Sequence, residues 1–327
     1  MRDIGNGAFN GCTGLTCVII PEGVARIGDH AFLFSQSLTG VTIPNSVTHI
    51  GSGAFSFGGL TSVTIPGNVT SIGDYAFNMC RSLLSVTISE GVTSVGEEAF
   101  SYCKALTSVT IPGSMTSIGV KAFSQCESLI GITIPEGVTS IGNGAFSFCR
   151  GLTSVTIPGS VSSIGSNPFS SCSLTSIDVS PDNTVFESID GVLFDKQEKI
   201  LVACLDTREG AYEIPEGVLL IGVTAFWGCK GITNVTIPES VTGIGNGAFC
   251  GCNGLLNVII PTSVTSIGGL AFSDCKGLAS VTISESVTSI GIYAFQECAN
   301  LTLNVAAGSF AEQYAKENEI LYVLATE

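Results

Sequence analysis

Thirteen cysteines, two histidines and 27 carboxylates are the residues of this 327-residue chain whose types could carry chemistry, and their spacing decides which chemistry is open to them. Ten cysteines stand three positions after a phenylalanine: Cys12, Cys80, Cys103, Cys126, Cys149, Cys172, Cys229, Cys252, Cys275 and Cys298. One repeat apart, their Cα atoms would lie about 5 Å from each other, within disulfide range, but side chains stacked in register point parallel instead of converging. No Cys-x-x-Cys and no histidine pair supplies metal-ligand spacing, Cys250-Gly-Cys252 being the nearest approach. A buried ladder whose thiols meet turn carbonyls suits the pattern best. Ser35 and Gly58 fill the place in two further units, and Cys17, on an outward strand position, is the expected reactive thiol. This cysteine usage leaves the redox compartment open.

Catalysis needs converging groups. His30 lies two residues before Phe32 on a turn, and His49 lies on an extended segment of the next unit, facing elsewhere. Serine is abundant, yet no Gly-x-Ser-x-Gly elbow occurs with a histidine and an acid to match, and no glycine-rich nucleotide loop opens a long helix. Asp178, Asp182, Glu187, Asp190, Asp195, Glu198, Asp206, Glu209 and Glu213 crowd one stretch and would suit a hard cation. They lack the Asp-x-Asp-x-Asp-Gly spacing of a calcium loop, so a solvated acidic loop is the simpler reading. No catalytic, cofactor-binding or metal-binding residue is assigned, and the chain is expected not to be an enzyme.

The elements that position these residues follow from a repeat. Phe recurs at 9, 32, 55, 77, 100, 123, 146, 226, 249, 272 and 295, each after Ala, and Pro168-Phe169 fills the missing place. The interval is 23 residues, with one of 22 and one gap of 57 after Phe169. In Leu152-Thr-Ser-Val-Thr-Ile-Pro158, period-two alternation and β-branched residues predict a strand with Val155 and Ile157 inward and Ser154 and Thr156 outward. Pro158 ends it, lacking an N–H for the neighbouring rung. Val161 and Ile164 predict a second short extended segment, and Ala145-Phe146 with Cys149 predict one helical or 3₁₀ turn. A single unit cannot bury its inward side chains, whereas stacked units can. The fold class is therefore a repeat solenoid: a leucine-rich-repeat rod about 60 Å long with a parallel β-sheet of about thirteen short strands and short turns or 3₁₀ segments, its phenylalanines stacked as a spine.

Units such as Leu60-Thr-Ser-Val-Thr-Ile-Pro-Gly-Asn-Val-Thr-Ser-Ile-Gly-Asp-Tyr-Ala-Phe-Asn-Met-Cys80 resemble the BspA-type, or treponemal-type, leucine-rich repeat, and the resemblance covers nearly the whole chain. It implies a surface or secreted protein of host-associated bacteria or protists, with roles in adhesion and protein binding. It carries over a class of function and no individual residue.

Departures from the repeat mark the ends and the middle. The domain reading is a solenoid over 1–304, with a long irregular unit at about 174–214, and a C-terminal cap over 305–327. Within the long unit, Ile189–Phe194 and Ile200–Ala203 flank a polar tip and read as a β-hairpin, similar to a longer DGVLF-type unit of the same family. In the cap, Ser309 is placed to start a helix with Phe310, Ala311 and Tyr314 inward, and Ile320–Leu324 to return as a last strand. The opening Ile4-Gly-Asn-Gly-Ala-Phe9 falls in mid-unit, which implies that upstream units or a leader lie outside this sequence.

Charge narrows the partners. Twelve Lys and Arg against 27 Asp and Glu give a formal net charge of −15, which repels nucleic acids and anionic membrane surfaces. No run of eighteen apolar residues spans a membrane, and no charged start precedes an apolar run as in a secretory signal. Four surface columns remain. Outward threonines (Thr42, Thr64, Thr87, Thr110, Thr133, Thr156) suit exposed strands; ice binding would need a second threonine column, and serine and glycine occupy it. Arg81, Lys104, Arg150, Lys230 and Lys276 follow the cysteine places, and Glu22, Glu90, Glu136, Glu216, Glu239 and Glu285 follow the strands. The fourth column, two after Phe, holds Phe34, Phe57, Met79, Tyr102 and Phe148 in the N-terminal half and Gly228, Gly251, Asp274 and Glu297 in the other; Trp227 lies one residue before it. Phe34, Phe57, Tyr102, Phe148 and Trp227 are the candidate partner-binding residues, for a protein ligand or a sugar ring, against simple partial burial at a turn edge. The functional expectation is a protein-binding or adhesion module at the cell surface or outside the cell, with no cofactor. The alternatives are a spacer carrying another functional domain and a glycan-binding solenoid.

Overall fold

The computed structural model describes residues 2–325 and divides into two compact units at Thr184/Val185. In both, the repeat becomes a coil of a parallel-stranded solenoid. Strand Ser62–Ile65 alternates exposed and buried residues and pairs in parallel with Ser85–Ile88 so that Ser meets Ser, Val meets Val, Thr meets Thr and Ile meets Ile. Identical side chains stack because the insertion length between rungs is constant; a one-residue slip would turn Val63 and Ile65 to solvent.

Within the first unit the strands form two ladders. The second, shorter segments make one uninterrupted eight-stranded parallel sheet from Arg2–Ile4 through Ser71–Ile72 to Ser163–Ile164. The longer first segments fall into groups of two, three and two, and the break between Ser108–Thr110 and Ser154–Ile157 comes where the rung at 129–134 carries no strand. Gly131 stands there where most rungs have serine, and an unsubstituted backbone weakens a strand.

The segment around each phenylalanine is a run of short turns. Phe55 N–H donates to Ala76 O at 2.7 Å and Phe57 N–H to Asn78 O at 2.8 Å, both one rung on, while Ala54, Ser56 and Gly58 N–H donate back three residues within the coil. Alternate N–H groups thus serve neighbour and self, a pattern that a continuous 3₁₀ turn cannot supply. Left-handed residues at Gly53 (φ 58°) and Phe57 (φ 56°) produce it. Gly73 precedes the next such run, where an added Cβ would meet Ile50 O and Gly51 C at 2.7 Å; only glycine allows the coils to close up.

The phenylalanines form the core. Phe9, Phe32, Phe55, Phe77, Phe100, Phe123, Phe146 and Phe169 stack with centroids 5.0–5.7 Å apart and planes within 9°. In the second unit Phe226, Phe249, Phe272 and Phe295 stack at 4.9–5.3 Å, and Tyr314 closes the stack edge-on at 6.2 Å.

The irregular region holds three antiparallel strands where the sequence suggests two. Phe186–Ile189 pairs with Val192–Asp195, and Val192–Asp195 pairs with Ile200–Ala203. Asp190 (φ 51°) and Gly191 (φ 76°), read in sequence as strand interior, form the additional turn. Asp-Gly is a strong two-residue hairpin signal, since both positions need positive φ. The expected tip is present, with Asp195 Oδ1 accepting from Gln197 and Glu198 N–H at 2.9 and 2.8 Å. Ile200–Ala203 then joins the parallel ladder beside Leu220–Ile221.

Helix α1 (Phe310–Glu317) starts at Ser309, whose hydroxyl accepts from Glu312 N–H at 3.2 Å. Its buried residues are Ala311, Tyr314 and Ala315, one i, i+3, i+4 stripe. Phe310 lies about 100° around the helix from Ala311 and is 42% exposed, contrary to its expected inward place. Leu321–Leu324 pairs in parallel with Thr302–Val305 as the last strand.

Candidate functional site

The aromatic column arises from the turn run. Each of its residues sits two after a spine phenylalanine in left-handed backbone: Phe34 (φ 60°), Phe57 (56°), Met79 (58°), Tyr102 (61°) and Phe148 (60°). Their N–H groups donate one rung on, Phe34 to Ser56 O at 3.0 Å and Tyr102 to Ser124 O at 2.8 Å, so the backbone under the column is fixed. With the spine residue inward, the side chain two residues on stands at the edge of the coil. Phe34 is 42% exposed, the other four are half-buried, and the Phe34 and Phe57 rings meet at 4.7 Å. Phe34, Phe57, Met79 and Tyr102 occupy consecutive coils, and Gln125 separates them from Phe148. Trp227 belongs to the second unit, in the place where Ser56, Ser101 and Ser147 are buried in the first, and its ring lies against Gly247.

Burial fixes the chemistry of the fully buried cysteines of the column, whereas the half-buried Cys298 has its thiol pKa lowered by its hydrogen bond with Cys275. Cys80, Cys103, Cys126, Cys149 and Cys172 donate their thiols to the spine carbonyl of the preceding coil, at 3.1–3.3 Å. In the second unit Cys252, Cys275 and Cys298 do the same at 3.0 Å. Burial pushes the Cys80 thiol up to about 12, and burial likewise raises Cys103 and Cys126. A protonated, hydrogen-bonded thiol is neither nucleophile nor metal ligand. Ser35 makes the equivalent bond with its hydroxyl, to Phe9 O at 3.0 Å. Among the described residues all cysteines are free, and no three His, Cys, Asp or Glu side chains converge to hold a metal. Cys17 is exposed, as its strand position requires.

The charged columns contain a function that sequence inspection missed. Glu90 accepts from the N–H groups of Gly113 and Ser114, one coil on, at 2.9 and 3.1 Å, and these bonds hold its carboxyl below the usual range. Glu136 reaches Gly159 and Ser160 in the same way at 3.4 and 3.3 Å. These glutamates fasten neighbouring turns as well as solvating the surface. The 23-residue interval was the available signal, since it places Glu90 opposite Gly113. Basic residues pair locally, Lys104 with Glu127 at 2.8 Å and Lys276 with Asp274 at 3.3 Å.

A parallel-strand solenoid built from coils of 22–23 residues around a stacked phenylalanine spine defines a leucine-rich repeat protein. The chain belongs to the family described as "BspA type Leucine rich repeat region", whose model matches six copies over residues 2–130, 116–201 and 209–313. A leucine-rich cell surface protein from Faecalibacterium prausnitzii A2-165 is 30% identical, over 92% of this chain and 90% of its own, with a TM-score of 0.64. A leucine-rich repeat protein from Eubacterium ventriosum is 28% identical over 76% of this chain and 66% of its own, with a TM-score of 0.70. The pneumococcal vaccine antigen PcpA, 20% identical over 99% of this chain and 92% of its own, shares the fold at a TM-score of 0.69. None of the curated proteins matches this sequence.

Proposed function

We propose that this chain is a non-enzymatic protein-binding module of a bacterial cell-surface or secreted protein, and that the column Phe34, Phe57, Tyr102 and Phe148 is its contact surface. The observation that carries the reading is the Phe34–Phe57 pair: two aromatic rings in contact at 4.7 Å at the coil edge, one of them 42% exposed. Aromatic side chains on a rigid scaffold bury large areas with little loss of rotamer freedom, which suits them as anchors. The surface origin of the Faecalibacterium relative supports the location. No described helix is long and apolar enough to cross a membrane.

The test is capture from host-matrix and cell-surface extracts on the immobilised protein, beside the variant Phe34→Ser/Phe57→Ser/Tyr102→Ser/Phe148→Ser, with folding checked by circular dichroism. Partners held by the native protein and lost by the variant support the reading. Equal capture by both moves the contact surface elsewhere, and empty capture from every extract favours a spacer.

A further inference from the structure

Five Asn-Gly pairs occur in the chain, at 6–7, 10–11, 143–144, 246–247 and 253–254. This dipeptide readily loses its side-chain amide, because glycine leaves its own nitrogen unhindered beside the asparagine Cγ. The reaction needs that nitrogen free, and in four of the pairs it is not. Gly7 N–H donates to Asp29 O at 2.8 Å, Gly11 to Leu33 O at 2.7 Å, Gly144 to Ser166 O at 2.9 Å and Gly247 to Gly269 O at 2.8 Å, each in the next coil. At Asn6, Asn143 and Asn246 the same partner residue also donates its own N–H to the asparagine Oδ1, at 2.9, 2.9 and 2.8 Å. One residue there holds both reacting groups. Asn253-Gly254 is built differently. Asn253 Oδ1 accepts from Lys276 N–H at 3.2 Å, whereas Gly254 N–H donates to no described residue. Gly254 also lacks the left-handed backbone of the other four glycines, and both residues of the pair are partly exposed, so water reaches them.

We infer that Asn253-Gly254 is a self-modification site, at which the Gly254 nitrogen gives its proton to water and attacks Asn253 Cγ. A C–N bond forms, the side-chain amide C–N bond breaks with its electron pair, and the amide nitrogen takes up a proton and leaves as ammonia. One water then opens the resulting succinimide at either carbonyl, to aspartate or to isoaspartate. In sum, one water is consumed and one ammonia released. The Lys276 N–H draws charge from the side-chain carbonyl and stabilises the oxyanion that develops there. The basic column says what the product does. In the first unit, consecutive coils carry Lys104, Glu127 and Arg150, with Lys104 and Glu127 paired at 2.8 Å. In the second, the same three places hold Lys230, Asn253 and Lys276, and Lys276 pairs within its own coil with Asp274 at 3.3 Å. Cations one coil to either side favour the negatively charged transition state, and a carboxylate at 253 completes the alternation that Glu127 completes in the first unit. The site lies in the other unit from the aromatic column and is independent of the proposed binding.

The test is a time course of the full chain at pH 8, folded and in urea, with each Asn-Gly peptide followed by mass spectrometry and its aspartyl and isoaspartyl forms separated by chromatography. In the folded chain Asn253 should convert at least about tenfold faster than Asn6, Asn10, Asn143 and Asn246, because each of those must first break a backbone hydrogen bond. In urea the five should react at similar rates. Isoaspartate, which only the cyclic route yields, should accompany aspartate at 253. Equal rates for the five sites in the folded chain overturn the inference, as does an Asn253 that stays intact there while it converts in urea. Aspartate formed at 253 without isoaspartate overturns the proposed step. Two variants test the charge column. Asn253→Asp should unfold at a higher temperature than Asn253→Gln at low salt and lose that lead at high salt. No lead at low salt overturns the part given to Lys230 and Lys276.

Discussion

The Cys126 thiol donates to the carbonyl oxygen of Phe100, in the preceding coil, at 3.3 Å, and the Cys103 N–H reaches the same oxygen at 3.4 Å. One spine residue is thus fastened both to its own coil and to the next. The bond needs a small donor at a buried position, which explains why serine replaces cysteine at 35 and makes the same contact. Cys126→Ser should therefore fall within about 1 kcal/mol of the native chain in chemical denaturation, and Cys126→Ala should lose about 1–2 kcal/mol through the missing donor and the small void. Protonation by burial adds a kinetic consequence. In a thiol-reagent time course at pH 8, mapped by mass spectrometry, Cys17 should react at once and Cys80, Cys103 and Cys126 only after unfolding. Early labelling of the ladder in folded protein would contradict this account.

The spine itself carries the larger share of stability. Phe100 is fully buried between Phe77 at 5.1 Å and Phe123 at 5.3 Å. Phe100→Ala removes both stacking contacts and opens a cavity that neighbouring coils, tied by backbone ladders, cannot collapse to fill. A loss of about 3–5 kcal/mol in urea denaturation is expected. Phe57→Ala, on the aromatic column two coils away, should cost about 1 kcal/mol or less, because its ring is only half-buried.

The spine, the cysteine column, the strand faces and the capping serine were legible because each is a matter of period: Val155 and Ile157 alternate, and Phe and Cys recur. What was not legible depends on conformation or on partners. Nothing in the period distinguishes a 3₁₀ turn from alternating turns at Phe57, since both place Phe55 and Gly58 three apart. Asp190-Gly191 was hidden inside an apolar run that reads as strand. Phe310 looks like a core residue until the helix phase is known, and Ala311, Tyr314 and Ala315 then claim the inward stripe. The work of Glu90 emerges only when the next coil is laid beside it. The aromatic column was visible as a list of positions, and its left-handed backbone and partial burial were not.

That left-handed backbone makes a prediction of its own. Glu297 holds φ 62° at the place where Gly228 and Gly251, both at 74°, stand in the same unit. Its side chain is exposed, so the residue retains the steric cost of left-handed backbone with little packing in return. Glu297→Gly should stabilise the chain by about 0.5–1 kcal/mol, the relief being offset in part by the greater freedom of glycine in the unfolded state. Gly251→Val should do the opposite and cost about 2 kcal/mol, since a β-branched residue tolerates positive φ worst. Thermal unfolding of the two variants beside the native chain decides it, and a destabilised Glu297→Gly would mean that the side chain has a role in the fold.

Glu90 ties stability to pH in a direction that follows from its hydrogen bonds. Gly113 and Ser114 N–H groups favour the ionised form of Glu90 and lower its folded pKa, while the unfolded chain titrates near the ordinary carboxylate value. The unfolded state therefore binds the proton more readily than the folded state. The contribution of Glu90 is present in full above the unfolded pKa and is lost as pH falls through the lowered folded value. Glu90→Gln keeps the size of the side chain but removes its charge and one of the two oxygens that accept separately from Gly113 and Ser114. At pH 7 the native chain should unfold at a higher temperature than the variant, and the gap should close as pH is taken below about 4. The same series on Glu285→Gln should show no gap at any pH, because Glu285 has no N–H partner among the described residues to lose. A gap of equal size at pH 7 for both substitutions would mean that net charge, and not the turn-to-turn hydrogen bond, sets the effect.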